Sequence, residues 1–333
     1  MDLRLTDEQQ HLVDAFRSLY GNHASTERIR AAEPSGFDQA LWEQLLEIGV
    51  IPMAVAESHG GWGAGLLDLV LVAEQHGRAV APAPLIEAQV GARLLDRLGS
   101  DHLEAALSGD RVVTVGLHPA IGDRALAVPG GAVADDAIVY VGGELVLVPL
   151  EGSRLSFENL GSMPLADVAI AGSDVLARGG EAREAFEAAI DDWLVLTAGA
   201  LVGIGSRSLE IGVAYVKERR AFDVPIGSFQ AISHPLADSA TALDGARLLT
   251  YEAAWAAAED PARVRQLAAL AFAFTNEVAR AASYRSLHAH GGYGFMVEYD
   301  IQLYWRRARA WGAVWGESAD GYRRAADARY GRR

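Results

Sequence analysis

The sequence predicts an α+β chain in three parts: a helical N-terminal domain over residues 1–109, a small middle β domain over 110–175, and a C-terminal four-helix bundle over 176–333. Three observations predict it. Apolar residues recur at helical spacing through the first part. Short β-branched runs replace them in the second. In the third the helical period returns, in long segments joined by short turns.

The elements follow in order. Thr6 stands where an N-cap belongs, and Gln9, three residues on, completes a capping box. Leu12, Val13, Phe16, Leu19 and Tyr20 then repeat at helical spacing. A second helix is expected over 37–48, with Leu41, Leu45, Leu46 and Ile48 apolar. The glycine-rich turn of residues 60–65 precedes helices over 66–80 and 85–98, divided by Pro82 and Pro84. Strands are expected over 111–117, 137–141, 144–150 and 154–160, with Gly142-Gly143 as a hairpin turn. The bundle reads as helices over 186–220, 229–259 and 262–290, and a last segment from 300 to about 328. Pro225, Gly227, Pro261 and Gly291-Gly292 supply the breaks.

Composition removes several function classes. Asp and Glu number 44 against 29 Lys and Arg, a net charge of −15. Such a surface repels nucleic-acid backbones and anionic lipid, so neither is expected as a partner. There are no cysteines, which removes thiolate metal sites, iron–sulfur clusters and a cysteine nucleophile. Lys217 is the only lysine, so Schiff-base chemistry has almost no candidate. The first ten residues lack an apolar signal core, and no uninterrupted apolar run reaches membrane-spanning length. A cytoplasmic protein is the expectation.

Motif by motif, most familiar chemistries fail. Gly61, Gly63 and Gly65, and Gly199, Gly203 and Gly205, do not follow a strand in a βαβ unit, so they read as turn or close-packing glycines, not a dinucleotide fingerprint. His288 and His290 have no carboxylate cluster to complete a metal site, and none is expected. No Gly-x-Ser-x-Gly elbow occurs. Two stretches remain. Residues 219–230 place Arg219-Arg220 at a helix end, then a Pro/Gly turn, then Phe229-Gln230 opening the next helix. A guanidinium fork beside a helix N-terminus suits a pyrophosphate; a charged helix end with an ordinary loop explains the same residues. In residues 287–295, Gly291-Gly292 allows close backbone approach to a ligand, and equally a helix stop.

Together these stretches resemble the acyl-CoA dehydrogenase family. Residues 219–230 are similar to its R-x-x-F-G-x-P-I-G-x-F-Q stretch. Residues 291–299 are similar to its G-G-x-G-[FY]-x-x-E-Y segment, and Arg306-Arg307-Ala308-Arg309 to its R-D-A-R stretch. Residues 5–10 and the Gly60-Gly61-Trp62-Gly63 turn also fit. The resemblance implies FAD held non-covalently at a subunit interface, with Arg219 reaching the pyrophosphate of a neighbouring subunit's cofactor. It implies Phe222, Phe229, Gln230, His288, Gly291 and Gly292 as further cofactor-binding positions. The implied reaction is α,β-dehydrogenation of an acyl-CoA thioester. An electron-transfer flavoprotein is the implied acceptor.

The departures are as informative. Ungapped, Trp315 falls where the family's catalytic glutamate stands, and an indole cannot accept the α-proton. Glu317 lies two residues on, as a weak substitute. The alternative base position falls at Trp193-Leu194, beside Asp191 and Asp192. Residues 113–118 and 137–143 replace the family's T-E-P-x-x-G-S-D and W-I-S/T-N-G stretches. His288 replaces a glutamine, and Asp223 a glycine. The pattern is similar to the shorter, base-lacking subunit of heteromeric bacterial enzymes acting on sterol side chains. The expected partners are therefore a catalytic acyl-CoA dehydrogenase subunit or, failing that, a second copy of this chain acting as a homo-oligomer. A flavin-free scaffold of the same fold is the third expectation.

Overall fold

The computed structural model describes residues 4–331. The N-terminal helices are α1 (Asp7–His23), α2 (Thr26–Ala31), α3 (Gln39–Glu47), α4 (Leu66–Arg78), α5 (Leu85–Arg97) and α6 (Leu103–Leu107). The strands that follow are β1 (Val113–Val115), β2 (Arg124–Val128), β3 (Asp136–Val141), β4 (Glu144–Pro149), β5 (Arg154–Ser156), β6 (Ala166–Ala169) and β7 (Asp174–Arg178). The last part holds α7 (Gly179–Glu218), β8 (Arg220–Ala221), β9 (Val224–Pro225), α8 (Gln230–Glu259), α9 (Val264–Ala289), α10 (Ile301–Ala310) and α11 (Ser318–Tyr330).

Two compact units share these elements. One comprises residues 27–69 and 82–194. In it β1, β3, β4 and β7 form a sheet in that order, parallel between β1 and β3 and antiparallel elsewhere. A second sheet runs β2-β6-β5. The β3–β4 hairpin closes at Val141↔Glu144, with Gly142 and Gly143 at φ +60° and +88°. Those two positive angles are the turn that glycine permits without steric cost. The strand expected over 154–160 ends at Ser156. Asn159 diverts the chain: its Oδ1 accepts from the Gly161 and Met163 N–H groups, and its amide donates to Met163 O at 2.7 Å.

Among the described residues this unit buries four acids, Glu87, Asp136, Asp191 and Asp192. Glu87 on α5 is pushed up to about 7 by burial, with the neighbouring Trp193 indole pulling it the other way. Asp192, also buried, has opposite company. Arg93 Nε and Arg97 Nη2 reach it at 2.8 and 2.5 Å and hold its carboxyl below the usual range, against the cost of burial.

The other unit comprises the residues up to Thr26, residues 70–81, and Val195 onward. Thr6 caps α1 as its spacing requires, accepting from Gln9 N–H at 3.2 Å while Gln9 Oε1 accepts from Thr6 N–H at 3.1 Å. Two glycines bring the C-terminal turns of α4 against α7. A Cβ on Gly77 would lie 1.9 Å from Ala200 O, and one on Gly203 would lie 2.0 Å from Glu74 O. The glycines inside the long helix thus serve backbone contact. Val202, Leu243, Ala246, Val278 and Ala282 fill the space between α7, α8 and α9. Glu74 accepts from Arg247 Nε and Tyr251 Oη, each at 3.1 Å. Tyr20 Oη meets His76 Nδ1 at 3.1 Å, and burial pushes His76 down to about 3, which keeps it neutral.

By length and mean hydropathy α7 alone, among the described residues, could cross a membrane, yet 94% of its apolar window is buried within the protein. It is a core helix.

Two outcomes follow. Gly203→Ala drives a methyl into backbone and lowers stability by about 2 kcal/mol, read from the urea midpoint. Glu87 has a folded pKa above its ordinary 4.5, so its contribution is full below pH 4.5 and is lost as pH rises through about 7. The loss amounts to roughly 3 kcal/mol. Glu87→Gln removes that part of the pH dependence, measured as unfolding free energy between pH 4 and 8.

Candidate functional site

The two sequence stretches meet at one end of the bundle. Arg219 follows the last turn of α7. Its N–H donates to Tyr215 O and its carbonyl accepts from Ile226 N–H, both at 2.8 Å. Between these anchors the chain makes a hairpin, β8 against β9, with Ala221↔Val224 as its last pair. The turn residues Phe222 and Asp223 lie at φ +52° and +64°. Left-handed backbone at a non-glycine residue costs about 1–2 kcal/mol, and here two stand in a row. Asp223 occupies the place where the family pattern has glycine. Phe222 is 90% exposed, touched edge-on by Phe229 at 6.2 Å. Phe229 is the N-cap of α8 and Gln230 its first residue, both exposed.

The side chains of the arginine pair differ. Arg220 donates to Asp223 O within its own hairpin. Arg219 is exposed, and among the described residues no carboxylate pairs with it. Its guanidinium lies over the Tyr293 ring, 5.9 Å from the centroid.

Tyr293 belongs to the second stretch. α9 ends at His290, and Gly291 turns left-handed at φ +61° to enter a short 3-10 helix over Gly291–Phe295. A Cβ at Gly291 or Gly292 would meet nothing within 4 Å, so the space beside both is open. His288 and His290 face different neighbours. His288 is exposed and stacked on Tyr284. His290 is buried, its Nδ1–H donating to Ser286 O at 2.7 Å, and burial lowers its pKa. Its ring stacks on Tyr215 at 4.0 Å. Next to this stretch, α8 and α9 enclose a cavity of about 260 Å³, walled by Ile232, Pro235, Tyr284 and His288 among others.

The candidate base positions are otherwise engaged. Trp315 packs edge-on against Phe272 at 5.2 Å, and Trp311 lies against the His76 ring. Glu317 stands at the N-cap of α11, where Asp320 Oδ2 accepts from its N–H at 2.9 Å. Its carboxylate pairs with Arg280, which also donates to Arg309 O and holds the Glu317 carboxyl below the usual range. Asp191, Asp192, Trp193 and Leu194 are all buried, with Asp192 locked between its two arginines. In the β domain Thr114 spends its hydroxyl on Pro129 O.

Sequence reasoning named Arg219, Phe222, Phe229, Gln230, His288, Gly291 and Gly292. It quoted Tyr293 and Tyr299 within the second stretch but gave them no role, and it passed over Tyr215; the three form the aromatic floor beneath Arg219. For Tyr215 the available signal was its position four residues before Arg219, one helical turn away.

A helical N-terminal domain, a small β domain and a helical C-terminal domain make up the acyl-CoA dehydrogenase fold. The family models agree: "Acyl-CoA dehydrogenase, N-terminal domain" matches residues 6–107 and "Acyl-CoA dehydrogenase, C-terminal domain" matches residues 183–319. The chain belongs to the acyl-CoA dehydrogenase family, whose members are FAD-dependent oxidoreductases. It is 29% identical to the acyl-CoA dehydrogenase IpdE2 of Mycolicibacterium smegmatis over 330 residues, 96% of this chain and 98% of that one. Among solved structures it is similar to a variant of the Tcur3481–Tcur3483 steroid ACAD, at 27% identity and TM-score 0.88 over 97% of both chains. It is equally similar to a chain of the ChsE4–ChsE5 complex from Mycobacterium tuberculosis, at 26% identity and TM-score 0.88 over 97% of both.

If Glu317 serves as a cap and ion-pair partner, Glu317→Gln costs less than about 1 kcal/mol of stability and leaves turnover of the assembled enzyme unchanged. Thermal melts and steady-state rates check both.

Proposed function

We propose that this chain is the non-catalytic subunit of a cytoplasmic, heteromeric, FAD-dependent acyl-CoA dehydrogenase that desaturates the α,β bond of a steroid side-chain thioester. The observation that carries the reading is a pairing of opposites. The bundle end offers an exposed guanidinium without a carboxylate, while the family's base position holds Trp315.

The residues at the bundle end fit the diphosphate of a dinucleotide. Arg219 has its donor fork free, and bidentate donation to phosphate is what a guanidinium does best. Gly291 and Gly292 leave open space beside their backbone, so a ligand can approach closely. Phe222 and Phe229 offer rings that nothing in this unit covers fully. FAD, when bound, supplies the hydride acceptor for carbon–carbon desaturation. This chain's own part is to grip the cofactor's anionic middle through Arg219, with Phe222, Phe229, Gln230, His288, Gly291 and Gly292 around it. The α-proton falls to a carboxylate of the partner subunit, because Glu317, Asp191 and Asp192 are buried or bound elsewhere in this chain.

The descriptions of two similar structures support the steroid reading. One similar structure is described as a steroid ACAD and another as a complex of two differently named chains. An electron-transfer flavoprotein is the proposed acceptor.

The test is purification from the native host through a tag on this chain. The expected material contains a second acyl-CoA dehydrogenase chain, absorbs near 450 nm and carries one FAD per pair of chains. Arg219→Ala strips most of that flavin while leaving the pair assembled. A self-assembled oligomer of this chain alone that turns over acyl-CoA, or a colourless protein with no second chain, would falsify the reading.

A further inference from the structure

Arg219 does not lie on bare surface. Beneath it the aromatic rings form a continuous support. Tyr293 packs on Tyr299 at 5.6 Å. Tyr299 stands edge-on to both Tyr215, at 6.5 Å, and His290, at 6.0 Å. Tyr215 and His290 are stacked on each other, and His290 is tied to the α9 backbone through Ser286 O. The support therefore runs as a chain of ring contacts from the buried end of α9 to the exposed arginine. Its histidine is held toward the neutral form by burial, so it presents no second cation to repel the guanidinium.

We propose that Tyr293 is a positioning residue for Arg219: its ring, fixed by Tyr299, Tyr215 and His290, holds the guanidinium in place before the cofactor diphosphate arrives. The inference rests on the reading of Arg219 as a diphosphate ligand and adds a residue to it. An unrestrained arginine samples many rotamers, and an anion that binds it must select one of them. A cation within about 6 Å of a tyrosine centroid is attracted to the ring face. The guanidinium keeps its in-plane N–H donors available while it rests there. Tyr293 is itself 45% exposed, so replacing it disturbs little of the core.

The experiment measures FAD binding to the complex of this chain with its co-purified partner, after removal of the flavin, by recovery of flavin absorbance and fluorescence on titration. Tyr293→Leu weakens FAD binding about tenfold, and Tyr293→Phe, which keeps the ring, restores it to within about twofold. In an Arg219→Ala background Tyr293→Leu adds nothing further, because the residue it positions is gone. Native mass confirms assembly of each variant, and Tyr293→Met replaces the leucine variant if the latter does not assemble. Unchanged affinity in Tyr293→Leu beside weakened affinity in Arg219→Ala overturns the positioning role alone. Additive losses in the double variant overturn it too, since Tyr293 would then act independently. Unchanged affinity in Arg219→Ala overturns the underlying reading of the site.

Discussion

Arg219 is exposed and, among the described residues, has no carboxylate partner, in a chain with 44 acidic residues and 29 basic ones. Surface charges of opposite sign tend to find each other when acids are this abundant. Arg78 has Glu210, Arg111 has Asp136, and Arg178 has Glu144. At Arg219 the fold supplies an aromatic face instead. The difference matters because a paired guanidinium must give up its partner before it can bind an incoming anion, whereas one resting on a ring keeps its donors. Everything proposed for the bundle end depends on that open charge.

The opposite logic governs the segment after α10. There this chain sets Trp315 against Phe272 and Trp311 against His76. Arg280 then gathers Glu317 and the Arg309 carbonyl together. A catalytic carboxylate must be near its substrate, ionised and unencumbered. Arg280 holds the Glu317 carboxyl below the usual range, and the same ion pair encumbers it. The polar groups of this segment are spent on tying helices, which suits a subunit that contributes binding and leaves proton removal to another.

Much of this was legible in the sequence, and the limits are physical. The capping box at Thr6 and Gln9 and the glycine pair at 142–143 are local devices, in which neighbouring residues carry all the information. The long helices were legible because their apolar period persists over many turns. β2, β6 and β7 were not. Their residues (Arg124–Val128, Ala166–Ala169, Asp174–Arg178) are alanine-rich or charged, and pairing in the folded sheet makes them strands where local preference does not. The hairpin inside the loop after α7 was hidden likewise, since Phe222 is a poor residue for its turn. At the bundle end the family pattern pointed to Arg219 and the glycines, but Tyr215 is far in sequence from Tyr293 and Tyr299 and meets Tyr299 and His290 only once α7 and α9 have docked.

The hairpin tip has a consequence of its own. Phe222 holds a backbone shape that its side chain disfavours, and its phenyl ring projects almost wholly into solvent. Most surface loops sit in a shallow energy well and lose something by leaving it. This one releases strain when it leaves. A surface pressing against the tip can therefore reshape it at little cost, like a fingertip that takes the contour of what it touches.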